Sequence, residues 1–233
     1  MAAIAALPRT KREIKAKSYL IREGDKSHAF CSLILSGMAY RHKLTDQGAR
    51  QIVAIHVPDD LLDPQHLFLK FADYSVQALT TLEVADIDHS ALQDLILQNP
   101  AVARALWVDG LVDSAIYREW VLNIGRRDAR SRIAHLLCEM AVRMRAAGVI
   151  EDSRFYLPMT QEQMGDATGL TSVHVNRTLK ALTASGLIEQ TGRWIGISDW
   201  DSIRRVGDFN PLYLHLDQSA PQSEASLHSP FMT

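Results

Sequence analysis

A chain of 233 residues has room for one large domain or two modest ones, and 47% apolar with 22% charged residues is the balance of an ordinary globular protein. No apolar run approaches the roughly 20 residues that cross a bilayer, and two cysteines can make neither a disulfide framework nor a four-thiolate metal or iron–sulfur site. With a net charge of −2, any binding of nucleic acid requires positive charge gathered on one face. The opening MAAIAALPRTKREIK lacks the apolar core of a signal peptide, so a cytoplasmic location and no membrane contact are the expectation.

From about residue 18 to 90 the chain reads as short strands broken by turns. Tyr19-Leu20-Ile21 precedes Glu23-Gly24-Asp25, Phe30 to Leu35 precedes Ser36-Gly37, and Met38 to Leu44 precedes Thr45 to Gly48. Arg50 to His56 precedes Pro58-Asp59-Asp60, and Ser75 to Ile87 breaks near Thr80-Thr81. Strands this short at this spacing predict an N-terminal β-roll, a jelly-roll-like double-stranded β-helix, over residues 1–98. The pair Asp59-Asp60 reads as turn chemistry.

After Asp88 the period changes. Ala91, Leu92, Leu95 and Ile96 share one helical face, and Asn99-Pro100 ends that helix. A helix of about 22 residues, about 33 Å long, follows from Ala101 to Asn123. Its apolar residues are Val102, Leu106, Val108, Leu111, Val112, Ala115, Ile116, Trp120 and Val121. Two coverings suit such a stripe: the protein's own β-roll, or a second copy of the same helix. A further helix from about Arg127 to Ala147 sets Ile133, Leu136, Leu137, Met140, Ala141 and Met144 against Arg126, Arg127, Arg130, Arg132, Arg143 and Arg145. Residues 99–147 are thus expected to form one part, a long helix, a dimerisation helix if a second copy covers the stripe, and a connecting helix. Residues 148–217 form a third part, and the polar, turn-rich 218–233 is expected to be a disordered tail. The whole is an α+β chain.

Residues 158–197 carry the sharpest pattern. Thr160-Gln-Glu-Gln163 is a capping box that opens a short helix to Thr168, burying Met164 and Ala167. Gly169 supplies a tight turn, Leu170 an apolar wedge, and Thr171 caps a second helix from Ser172 to Ser185. Val173, Val175, Leu179 and Leu182 are placed on or near its buried side. Gly186-Leu187-Ile188 then enters a strand, Thr191-Gly192-Arg193 turns, and Trp194 to Ile197 returns. A capped helix, a glycine turn, a second capped helix and a two-stranded wing make a winged helix-turn-helix. Ser172, His174, Asn176, Arg177 and Lys180 are expected on the outer face of the second helix. Arg177 suits a guanine edge, Asn176 an adenine or a phosphate, and Ser172 and Lys180 phosphates. Arg193 at the wing tip can reach a phosphate, and Thr160 and Thr171 complete the candidate DNA-contacting set.

On the motif LPMTQEQMGDATGLTSVHVNRTLKALTASGLIE, residues 157–189, the chain resembles the Crp/Fnr family of bacterial transcription regulators. The order of parts agrees, and the resemblance covers about residues 14 to 216. It implies a DNA-binding regulator acting as a homodimer on a pseudo-palindromic site, with RNA polymerase as a further candidate partner. The family's base-reading positions fall on Val173, Asn176 and Arg177. Many relatives carry Glu where Val173 stands, so a thymine methyl is the contact left to this side chain and the half-site should differ.

The resemblance also frames the sensor. Members that bind cyclic AMP hold it with a Gly-Glu pair and an Arg-Ser/Thr pair, and here Asp63-Pro64 and Ala72-Asp73 stand in those places. The missing arginine and the added carboxylate argue against cyclic AMP in the usual mode. Oxygen sensors of the family hold an iron–sulfur cluster on four cysteines, more than this chain has. Haem on Cys31, His28, His42, His56 or His66, a redox role for Cys31 or Cys138, an unknown small effector and an inert roll all stay open, with Cys138 reading as packing. No catalytic Ser/His/Asp order, phosphate loop or HExxH-type motif appears, so no enzyme is expected.

Overall fold

The computed structural model describes residues 4, 6–26, 28–150 and 154–216. The chain divides into two compact units, Met1–Ser114 and Ala115–Thr233, and the division falls inside a long helix. The tail expected at 218–233 lies outside the described residues.

Among the described residues the first unit holds eight strands: β1 (Arg9–Ile14), β2 (Tyr19–Ile21), β3 (Phe30–Ser36), β4 (Ala39–Leu44), β5 (Arg50–His56), β6 (Leu61–Leu62), β7 (Ser75–Ala78) and β8 (Leu82–Asp88). They form two antiparallel sheets, ordered β1-β8-β3-β6 and β2-β7-β4-β5, the roll that the strand spacing predicts. Strand β8 is buried on both faces. Leu82 and Val84 join Ile14, Ile34, Leu62 and Val76 in one core, whereas Ala85 and Ile87 join Cys31, Leu33, Leu92 and Val102 in another. The period of two along a strand makes this division automatic. The second core attaches α1 (His89–Gln98), capped by Asp88, and the start of α2 (Pro100–Arg126) to the first sheet.

Strand β1 has no counterpart in the sequence reading. Its RTKREI is almost wholly exposed, and only Ile14 enters the core. It is an edge strand paired through its whole length with β8, with Lys11 2.7 Å from Glu83 and Arg12 2.8 Å from Asp86. A charged edge discourages pairing with other chains, and for the same reason it shows no apolar alternation.

The second unit holds the end of α2, then α3 (Ala129–Ala146), β9 (Arg154–Tyr156), α4 (Gln161–Thr168), α5 (Ser172–Ala184), β10 (Ile188–Thr191), β11 (Trp194–Ile197) and α6 (Trp200–Val206). Helix α3 corrects the amphipathic expectation. Residues 133–142 are buried without interruption, His135 and Glu139 included. Arg127, read as part of an outer arginine face, precedes the helix and is 9% exposed. Buried polar groups need partners, and Glu139 has them. It accepts from Trp120 Nε1 at 3.0 Å and from Tyr213 Oη at 2.7 Å. Helix α6, absent from the sequence reading, is capped by Asp199 and closes on α3. A Cβ at Gly207 would lie 2.8 Å from His135 N, so only glycine permits that approach. Among the described residues no helix is long and apolar enough to cross a membrane.

Candidate nucleic-acid interface

Helix α4 starts as the sequence predicts. Thr160 Oγ1 accepts from Gln163 N at 3.1 Å and Gln163 Oε1 accepts from Thr160 N at 2.9 Å, a complete capping box. It ends at Gly169 in the left-handed region, φ 66°. Leu170 N then donates back to Gly165 O at 3.0 Å, and Thr171 caps α5 by accepting from His174 N at 3.3 Å. Gly165 is needed for this turn. A Cβ there would fall inside the contact radius of Leu170 O, and a backbone atom cannot swing aside.

Helix α5 has two opposed faces with the same spacing. Val175, Thr178, Leu179 and Leu182 are buried, while Val173, Arg177 and Lys180 are exposed and Asn176 is half-buried. Each set runs i, i+3, i+4, i+7, and the two are offset by two residues, about 200° around the helix. Val173 corrects the sequence reading: it is 75% exposed, on the outer face, not near the core. Ser172 is also exposed, at the N-terminal end of α5, where backbone N–H groups suit an anion. His174 is exposed but turned back, its Nδ1 3.1 Å from Thr171 Oγ1.

Strands β10 and β11 pair from Ile188–Ile197 to Thr191–Trp194, leaving Gly192-Arg193 as a two-residue hairpin loop. Strand β9 adds a third strand to this sheet beside β11. Arg193 is less free than the sequence suggests. Its Nη1 donates to Pro158 O at 2.9 Å and its own carbonyl accepts from Leu157 N at 2.9 Å, tying the wing to the segment that enters α4. Residues Thr160 and Thr171 serve the helix starts.

In the roll, Asp63 sits in the left-handed region, φ 66°, at the start of the 3-10 turn Pro64–Leu67. Its buried carboxylate accepts from Tyr74 Oη and pairs with His66 Nδ1, and the Arg41 guanidinium lies 4.3 Å over the Tyr74 ring. Burial raises the Asp63 pKa, opposed by Tyr74, His66 and Arg41. Ala72 is buried and Asp73 is exposed, so the carboxylate inside the roll is Asp63. Cys31 is fully buried, its Sγ 3.7 Å from Asp63 O, and burial pushes its thiol up to about 12. Burial likewise raises the Cys138 thiol. His42 lies 5.9 Å and 5.4 Å from the Tyr19 and Tyr40 rings, and His56 Nδ1 is 3.3 Å from Asp60 Oδ2. Asp60 also accepts from Val57 N at 3.1 Å, the turn chemistry expected of Asp59-Asp60.

Comparison with known proteins agrees with this geometry. Residues 131–206 match the family model of the Crp-like helix-turn-helix domain, and residues 11–99 that of the cyclic nucleotide-binding domain. The transcriptional activator protein FnrL of Cereibacter sphaeroides is 31% identical over 185 residues, 78% of this chain and 73% of that protein. The chain belongs to the Crp/Fnr family. This DNA-binding transcription regulator is also 28% identical, over 84% of its length and 80% of the relative's, to a probable transcriptional activator of Rhizobium leguminosarum bv. viciae. Its structure superposes on that of FixK2 from Bradyrhizobium japonicum with a TM-score of 0.78 and 25% identity, covering 86% of the regulator and 98% of FixK2.

Two residues that matter to the regulator's site escaped the sequence reading. Gly165 carried a weak signal, a glycine inside a helical pattern. Arg132, which donates to the turn carbonyls of Thr168 and Gly169, carried none, because an arginine near a helix start usually faces solvent.

Proposed function

We propose that the regulator acts as a homodimer that reads a pseudo-palindromic duplex through α5, with half-sites about one helical turn apart. The observation that carries this reading is the outward face of α5, where Val173, Asn176, Arg177 and Lys180 lie at i, i+3, i+4 and i+7. Arg177 reads a guanine edge, Asn176 an adenine or phosphate, and Val173 a thymine methyl. Ser172 and Lys180 hold phosphates, with Arg193, His174, Thr160 and Thr171 at the margins. The activity is binding in the cytoplasm, with no catalytic step. RNA polymerase is a further proposed partner, because two relatives are named transcriptional activators.

Support for the homodimer comes from α2. Trp107, Leu111, Val121 and Leu122 are 72%, 53%, 72% and 44% exposed, while Val102, Ala115, Ile116 and Trp120 are buried. Of the buried set, Val102 joins the second core of the roll and Trp120 donates to Glu139 of α3, whereas the exposed set is left for a second copy of the helix. Trp107, Leu111 and Val121 fall on positions that alternate steps of four and three, the spacing of a coiled-coil seam, with Ser114, Arg118 and Gly125 at the places between and after them.

For the roll we propose an effector other than cyclic AMP. A buried carboxylate at Asp63, held by Tyr74 Oη and His66 Nδ1, opposes a cyclic phosphate by like charge. Two buried cysteines do not fit an iron–sulfur cluster, and the burial of Cys31, His42, His56 and His66, with His28 stacked on Phe30, speaks against haem in the roll.

The test is a binding selection on random duplexes with the full-length chain. A preferred sequence bound at nanomolar Kd is expected at physiological salt, and Arg177→Ala should lose about 1–3 kcal/mol of discrimination at one base pair. A selection that returned no preference would overturn the reading. Millimolar cyclic AMP should leave the affinity unchanged, and a response to it would refute the proposal for the roll.

A further inference from the structure

Arg132 lies in the first turn of α3, outside both helices of the DNA-reading motif, and is half-buried. Its Nη1 donates to Thr168 O at 3.1 Å and Gly169 O at 3.5 Å, and its Nε donates to Arg127 O at 2.8 Å. The two turn carbonyls stand at the C-terminal end of α4, where carbonyls lack partners within the helix and the backbone dipoles leave partial negative charge. A guanidinium suits that end in both respects. The turn is seated closely: a Cβ at Gly169 would lie 3.3 Å from Ile124 Cγ2 and 3.4 Å from Arg132 Nη1.

Arg127, the other end of the link, is itself fixed. Its Nη2 donates to Glu119 Oε1 of α2 at 2.7 Å and to Asp208 Oδ2 at 3.1 Å. Hydrogen bonds thus run from Glu119 through Arg127 and Arg132 to the turn between α4 and α5. Only a planar fork can donate to Arg127 O from one nitrogen and to the turn from another, and a lysine ammonium, a single point, cannot span both.

We propose that Arg132 is a positioning residue for sequence reading: it ties the α4–α5 turn to the junction between α2 and α3 and so sets the angle at which α5 meets the bases. This rests on the reading that α5 contacts base edges. Base-edge contacts carry the sequence preference and need α5 at one angle, whereas non-specific binding rests on phosphate charge, which is the same for every sequence. Loosening the turn therefore lowers specific binding more than non-specific binding.

The experiment compares full-length wild type, Arg132→Gln and Arg132→Lys on the selected duplex and on a scrambled one, between about 50 and about 200 mM salt. Amide hydrogen exchange of the free proteins accompanies it. For Arg132→Gln the ratio of specific to non-specific affinity should fall about tenfold, with a smaller fall for Arg132→Lys. The salt slope of non-specific binding should be unchanged, and exchange at residues 165–171 should quicken in both variants. A slope shallower by about 0.9 per lost contact would make Arg132 a phosphate ligand and overturn the proposal. So would an unchanged ratio accompanied by a lower melting temperature, the mark of a merely structural role. If Arg132→Gln does not fold, Arg132→Lys decides by the same readings. Should wild type show no preferred duplex, the DNA-reading assignment fails separately, and unchanged exchange at 165–171 in Arg132→Lys would still overturn the link.

Discussion

Gly165→Ala perturbs the DNA-reading motif at its tightest point. In an exposed helix the change would stabilise, since alanine is favoured over glycine by about 1 kcal/mol. Here the new Cβ would come closer to Leu170 O than the 3.0 Å that real Cβ atoms respect, and the obstacle is backbone. Leu170 cannot retreat freely, because its N–H is bonded to Gly165 O at 3.0 Å and Thr171 beside it caps α5. Relief has to come from moving α5 away from α4, which costs about 1–3 kcal/mol for an overpacked site. With the obstacle a backbone oxygen the cost falls in the upper part of that range and exceeds the propensity gain, so a net loss of up to about 2 kcal/mol is expected. Urea unfolding of the full-length chain measures this, and duplex binding should weaken more for the selected sequence than for a scrambled one. A variant more stable than wild type with intact specificity would show that the approach of α4 to the turn is not tight, and the reasoning would fail.

Further outcomes follow from other parts of the chain. Leu111→Glu combined with Val121→Glu places charge on the exposed seam of α2 and should convert a dimer into a monomer by sedimentation; wild type sedimenting as a monomer would refute the seam. His135, 1% exposed, has its pKa lowered to about 4, first by burial and then by Arg127. Between about 6.5 and about 4 the unfolded chain takes up a proton that the folded one does not, so acidification through that window should cost up to about 3 kcal/mol. Urea titrations at several pH values should show a smaller acid loss for His135→Gln, and an equal loss would refute the assignment. Glu139 works in the opposite sense: burial raises its pKa, so its contribution fades as pH rises, and the stability of Glu139→Gln relative to wild type should increase with pH. Cys31 and Cys138, both fully buried with raised pKa values, should resist thiol reagents until the chain unfolds. Rapid modification at neutral pH would instead favour a redox role.

Most of the DNA-reading motif was legible because its signals are local. The capping box of Thr160 and Gln163, the left-handed Gly169, the cap at Thr171 and the Gly192 hairpin each act through neighbours a few residues apart, and each appears where the spacing placed it. The β-roll strands were legible wherever an apolar residue faced a core. Strand β1 was not, since it pairs with β8 across 72 residues at Lys11–Glu83 and most of its side chains are charged. Val173 was misplaced because an apolar side chain on an amphipathic helix is read as core, whereas the helix rotation set by Val175, Leu179 and Leu182 turns it outward.

The sequence by itself therefore determined the kind of molecule: a roll, a long helix and a winged helix-turn-helix whose outer face carries Asn176, Arg177 and Lys180. Periodicity and capping are properties of neighbouring residues, and they suffice for that. Tertiary structure alone decided where the charges went. It buried Arg127, His135 and Glu139, pointed Asp63 into the roll and Asp73 out of it, and brought Arg132 onto the carbonyls of Thr168 and Gly169, 36 and 37 residues away in the chain. A charged side chain is buried only where partners from distant segments replace its water, and no local pattern records which partners those will be.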